Sequence, residues 1–120
     1  MSRRTDRVDD LIRQELSQLI LRELADPRVR LATVSAVHVT PDLRKARVEV
    51  SVLGEEPTRE AAVAALRHAA GFLRRQLGSR LRLRATPELD FTLDRGAEHS
   101  AHIASLLETL HHDDDEQDGS

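Results

Sequence analysis

The sequence predicts an α+β fold built as one domain, with elements in the order α-β-β-α-α-β followed by a further helix and a tail. Three observations lead there. An apolar stripe at helical spacing opens the chain, alternating apolar positions follow at residues 46–52, and a second helical stripe runs through residues 62–77. The length agrees, since 120 residues fill one modest core and not two.

Composition narrows the class further. A charged fraction of 32% beside a hydrophobic fraction of 39% describes a folded globular chain. No apolar run approaches the roughly 18 residues of a membrane span, and "MSRRTDRVDD" lacks the apolar centre of a signal peptide, so a cytoplasmic location with no membrane partner is expected. The absence of cysteine excludes disulfides, thiol catalysis and thiolate metal sites together.

The first helix is expected from Thr5 to about Ala25. Val8, Leu11, Ile12, Leu16, Leu19 and Ile20 form its stripe, Thr5 suits the N-cap, Asp6 and Asp9 suit the first turn, and Asp26-Pro27 ends it. "LATVSAVHVT", residues 31–40, is β-rich, but its alternation changes phase between Ala36 and Val37, which suggests a β-bulge. "TPDL" reads as a turn, and Ala46, Val48, Val50 and Val52 then alternate with Arg47, Glu49 and Ser51 to complete a hairpin.

"LGEEPT" breaks that pattern and Thr58 opens the second helical stretch. Ala62, Leu66, Ala69, Leu73 and Leu77 keep one phase across Gly71, so the helix is expected to continue through the glycine with a kink. Leu81, Leu83, Leu89, Phe91 and Leu93 all fall on odd positions, which reads as one strand or two collinear pieces interrupted at Pro87. Ile103, Leu106, Leu107 and Leu110 suggest a short last helix. Residues 113–120 contain five of the acidic residues and nothing apolar to bury, and are read as a disordered acidic tail after a domain of residues 1–112. Without the tail, 18 basic residues stand against 16 acidic ones, so the body is mildly basic.

That basic character is concentrated. Between Glu60 and Glu88 there is no acidic residue and there are six arginines. Gly71 lies about 180° around the helix from Ala62, on the solvent side, where glycine costs about 1 kcal/mol relative to alanine. Arg67, Arg74 and Arg75 neighbour it at i−4, i+3 and i+4. Arg80, Arg82 and Arg84 alternate with Leu81 and Leu83, and point away from the core if that segment is extended. Arg67, Gly71, Arg74, Arg75, Arg80, Arg82 and Arg84 are therefore the candidate residues for binding a phosphate chain, such as that of RNA, on a cationic surface with bare backbone at its centre. The competing reading is a solvated arginine-rich face with Gly71 as a tolerated kink. From the residues alone both readings stand.

"RVDDLIRQEL", "DPRV", "VTPDLRKARVEVSVLG", "AAGFLRRQLGSRLRLRATPELDF" and "HIASLLETL", taken in order over about residues 3–110, resemble the ribosome-binding factor A family. The resemblance implies a single type II KH-like domain, α-β-β-α-kink-α-β, with a three-stranded sheet, helices on one face, and an Ala-x-Gly kink in place of the usual GxxG loop. Here the kink is Ala69-Ala70-Gly71. It further implies a monomer that binds free, immature 30S subunits, and not 70S ribosomes, through 16S ribosomal RNA. The implied role is late maturation of the small subunit, rRNA processing and cold adaptation, with no cofactor and no catalysis. The acidic tail falls outside the matching region.

Composition also limits how RNA could be held. Phe72 and Phe91 are the only aromatic residues and Phe91 keeps the core phase, so no platform for base stacking is expected and an RRM is excluded. None of the five glycines forms GxxG. Recognition of phosphate and shape remains, weak in sequence specificity and strong in salt dependence.

Other residues carry less. Glu15 sits in the apolar stripe between Leu11 and Leu19, and an arginine partner would explain it. Glu88 and Asp90 share a strand face but lack a nucleophile, histidine or phosphate loop, so they read as exposed surface. His99 and His102 lie one helical turn apart without further ligands of recognisable spacing, and no metal site is assigned. The alternative to an RNA-binding assembly factor is a small α+β interaction domain whose arginine face meets an acidic protein.

Overall fold

A computed structural model describes residues 3–96 together with Leu106 and Leu107, with side chains from Asp6 onward. The chain runs α1 (Arg3–Glu23), a 3-10 turn (Pro27–Val29), β1 (Ala32–Val39), β2 (Lys45–Val52), α2 (Glu56–His68), α3 (Ala70–Leu81) and β3 (Glu88–Leu93). This is the expected order. α1 begins two residues before Thr5, which therefore lies inside the first turn and is not its N-cap. It ends ahead of Asp26, whose side chain accepts from the Arg28 N–H and caps the 3-10 turn, with Pro27 at its start.

The sheet has the order β1-β2-β3, with β1 antiparallel and β3 parallel to the central β2. A parallel neighbour requires a long crossover, and α2 and α3 supply it. The clean alternation of β2 is realised as Ala46, Val48, Val50 and Val52 turned into the core. The bulge in β1 exists, slightly earlier than its sequence suggests. Val34 faces Val50 and Ala36 faces Glu49, leaving Ser35 as the extra residue, so Val34 and Val37 are both buried. Ser35 Oγ donates to Asp94 Oδ2 at 2.8 Å, with the Glu49 carbonyl oxygen also within 3.1 Å.

One core joins the layers. Ile12, Leu16 and Leu19 of α1 meet Leu66 of α2, Leu73 and Leu77 of α3, and Val48, Val50 and Phe91 of the sheet, all fully buried. Leu11 is the exception in the first stripe, at 49% exposed. Asp9 of α1 accepts from the Val39 N–H at 2.9 Å, fixing the helix against the end of β1.

The extended segment expected from Leu81 is only half right. α3 continues through Leu81, and Arg82 closes it in the left-handed conformation (φ 51°, ψ 40°) with its N–H bonded to the Gly78 carbonyl. Two leucines two apart fit a helix end and a loop as well as a strand. Pairing starts only after buried Pro87, where the Glu88 N–H reaches the Arg44 carbonyl at 2.8 Å. Leu106 and Leu107 are helical and exposed. Ile103, Leu110, His99, His102 and the acidic tail lie outside the described residues. No helix among the described residues is long and apolar enough to cross a membrane.

Candidate nucleic-acid interface

The two crossover helices meet at Ala69, whose backbone (φ −86°, ψ 0°) leaves the helical region. The hydrogen bonds Ala69 N–H to Ala65 carbonyl (3.0 Å) and Leu73 N–H to Ala69 carbonyl (2.9 Å) run across the junction. The result is a bend between two helices, not a loop, as the unbroken phase of the apolar residues required. Ala69 and Ala70 are half-buried against the core, and Gly71 is exposed. A Cβ at Gly71 would have as its nearest neighbour Arg75 Nη1 at 3.6 Å, an ordinary contact. Nothing in the fold demands glycine there.

The six arginines divide into two groups. Arg67 donates from Nε to the Phe91 carbonyl at 3.0 Å. In the ladder to β2 the even residues of β3 bond inward, so the Phe91 carbonyl belongs to the open margin of the sheet and Arg67 satisfies it. Arg74 donates from Nε and Nη2 to the Thr86 carbonyl at 3.1 and 2.9 Å. Arg80 is not on a strand, contrary to the sequence expectation. It sits in the last turn of α3, with Nη1 at 3.7 Å from Glu15 and Nη2 at 3.6 Å from Glu23, both on α1. The carboxylate in the apolar stripe thus has an arginine beside it.

Arg75, Arg82 and Arg84 form the second group. All three are exposed, and among the described residues none of their side chains has a hydrogen bond or ion pair. Arg75 is on α3; Arg82 and Arg84 are on the segment that returns from α3 to β3. That segment lies so close to α3 that a Cβ at Gly78 would fall 2.4 Å from Thr86 Oγ1. A shallow cleft of about 430 Å³ between helix and segment is lined by Arg74, Arg75, Gly78, Ser79, Leu83 and Thr86.

Gly78, Thr86 and Glu23 were not among the residues the sequence singled out; Glu15 was, with an arginine partner expected, and Arg80 is that arginine. Gly78 had a signal, being a second glycine inside the helical pattern, but its partner eight residues on could not be read from periodicity. Phe91 is fully buried and Phe72 is half-buried against the core, so no exposed pair of aromatic rings is presented for base stacking. Glu88 and Asp90 stand opposite Lys45 and Arg47 in the β2/β3 register, on an outward strand face of mixed charge. What this surface can do chemically is present exposed, uncommitted cations to an anion.

A sequence model described as ribosome-binding factor A matches residues 4–107. The chain belongs to the ribosome-binding factor A family. It is 44% identical over 116 residues to the family member of Desulfitobacterium hafniense, covering 97% of this chain and 93% of the relative. With the member from Solibacter usitatus it shares 47% identity over 105 residues, covering 88% and 85%. The crystal structure of ribosome-binding factor A from Thermus thermophilus superposes with a TM-score of 0.68 at 32% identity, over 77% of this chain and 98% of that one. A homology model of the Thermus thermophilus factor, fitted into the cryo-EM map of its complex with the 30S subunit, gives a TM-score of 0.62 at 35% identity, over 72% and 90%. The family's KH-like α+β architecture is the one described above.

Proposed function

We propose that this protein is a non-enzymatic ribosome assembly factor. It binds free, immature 30S subunits through the phosphate backbone of 16S ribosomal RNA and assists late maturation and rRNA processing in the cytoplasm. The observation that carries this reading is the exposed set of Arg75, Arg82 and Arg84, whose side chains have no partner among the described residues, on the frame of a family whose Thermus thermophilus member has been fitted into the map of a 30S complex. With Phe91 in the core and Phe72 half-buried against it, binding works through charge and shape and not through base stacking. Residues 1–112 act as one RNA-binding domain, a monomer without a cofactor, and residues 113–120 serve as an acidic tail.

Co-sedimentation tests the proposal. The protein is expected to travel with 30S particles from an assembly-impaired strain and not with 70S ribosomes. Because the chain has no Trp, Tyr or Cys, it hardly absorbs at 280 nm, and a 260 nm peak in low-salt preparations reports bound nucleic acid directly. Failure to sediment with 30S particles, together with retention of an acidic protein in low salt, would replace the reading with the protein-interaction one.

A further inference from the structure

The segment from Arg82 to Pro87 has no regular hydrogen bonding of its own, yet three separate contacts press it onto α3. The Arg82 N–H bonds the Gly78 carbonyl at 3.0 Å. Both Nε and Nη2 of Arg74 hold the Thr86 carbonyl. Gly78 provides the room, since any Cβ there would collide with the Thr86 hydroxyl. Helix and segment enclose the cleft with Arg75 and Ser79 on one wall and Leu83 and Thr86 on the other. The two remaining arginines of the segment flank Leu83 in sequence and have no internal partner among the described residues.

From this we infer a division of labour: Arg75 on the wall of this cleft, with Arg82 and Arg84 on either side of its Leu83, contact the phosphates of an RNA, while Arg74, Gly78 and Thr86 are positioning residues that hold the segment against α3 where those contacts are made. The inference rests on the RNA-binding reading above and specifies its contacts. A guanidinium that already gives two donors to one carbonyl is poorly placed to clamp a phosphate as well. On a segment pinned at both ends the backbone needs no further ordering on binding, so only the arginine side chains lose freedom, which strengthens the contact without adding charge.

The test uses the full chain and a short synthetic RNA duplex. Gly78→Ala places a methyl group against Thr86 Oγ1, and Gly78→Leu adds bulk that Thr86 cannot avoid by turning its side chain. Neither variant alters charge. Affinity is expected to fall about threefold for the first and about tenfold for the second, as exposed cation contacts are misplaced. Adding Thr86→Ala to Gly78→Ala removes the obstructing hydroxyl, and affinity is expected to return to within about twofold of wild type. Arg74→Gln, which removes the two-pronged hold on Thr86, is expected to weaken binding severalfold with the salt slope unchanged, whereas loss of a direct phosphate contact would flatten that slope by about 0.7 to 0.9.

Circular dichroism and thermal melts establish that each variant is folded. If Gly78→Leu is folded and binds as wild type, or if Thr86→Ala does not relieve Gly78→Ala, the positioning role is wrong although RNA binding stands. If replacing Arg75, Arg82 and Arg84 together by Gln leaves the salt dependence of binding unchanged, the RNA reading itself fails, and this inference fails with it.

Discussion

The guanidinium of Arg80 lies 3.7 Å from a carboxylate oxygen of Glu15, tying the last turn of α3 to the middle of α1. That oxygen is buried and accepts no hydrogen bond from any described group, so the nearby positive charge is its principal compensation. Arg80→Gln is therefore expected to act on stability, lowering it by about 1 kcal/mol. The salt dependence of RNA binding is expected to stay as it was. In the Arg80→Gln, Arg82→Gln double variant, the slope of log K against log salt should flatten by only one contact, about 0.7 to 0.9, all of it from Arg82. A salt titration with urea unfolding on the same samples separates the two effects.

Gly71→Ala is expected to fold at least as well as wild type. Its methyl group meets nothing closer than Arg75 Nη1 at 3.6 Å, and alanine is the better helix former by about 1 kcal/mol. Thermal unfolding should rise by a few degrees. Binding to 30S particles should weaken, because backbone that a phosphate chain could approach is then covered. Unchanged 30S affinity would make the glycine a tolerated kink and nothing more.

Arg82 occupies a left-handed backbone conformation that suits glycine and is strained for a branched or long side chain. Arg82→Gly is expected to stabilise the domain by up to about 1 kcal/mol while removing one phosphate contact from the salt slope. Opposite signs in a melt and in a binding titration would mark a residue kept for function against the preference of its backbone.

Asp26 is held well below the ordinary carboxylate value of 3.8, at about 2, first by the side-chain hydrogen bonds of Arg28 and then by the Arg28 backbone N–H. A carboxyl depressed in the folded state gives stability that is fully present above about pH 4 and is lost as pH falls through about 2. Asp26→Asn keeps an N-cap oxygen and removes the titration. The unfolding midpoints of wild type and variant should differ near neutral pH and converge as acid is added toward about pH 2, as read from urea melts along a pH series.

Much of the frame could be read directly from the sequence, for identifiable reasons. The stripe from Ile12 to Ile20 and the alternation from Ala46 to Val52 each repeat long enough for only one period to fit. Leu81 and Leu83 gave two points, and two points fit a helix end as readily as a strand; the misplacement of Arg80 follows from that. Ser35 as the bulge residue was one position from the sequence estimate, because its hydroxyl contacts lie across the sheet at Asp94 and leave no local mark. The arginine strip was visible as composition, but its division was not. Whether an arginine is spent on the Phe91 or Thr86 carbonyl depends on where a distant strand and loop arrive, and periodicity carries no such information.

The bulge at Ser35 and the bond from Arg67 to Phe91 lie at opposite margins of the same small sheet. Unprotected strand margins recruit other chains, and a three-stranded sheet has two of them for very little interior. Here one margin is thrown out of step by an extra residue and the other has a carbonyl occupied by a guanidinium, so neither offers a continuous row of free donors and acceptors. Margins interrupted in this way disfavour strand addition between molecules, and deleting Ser35 is expected to raise light scattering of the folded protein by restoring an unbroken margin.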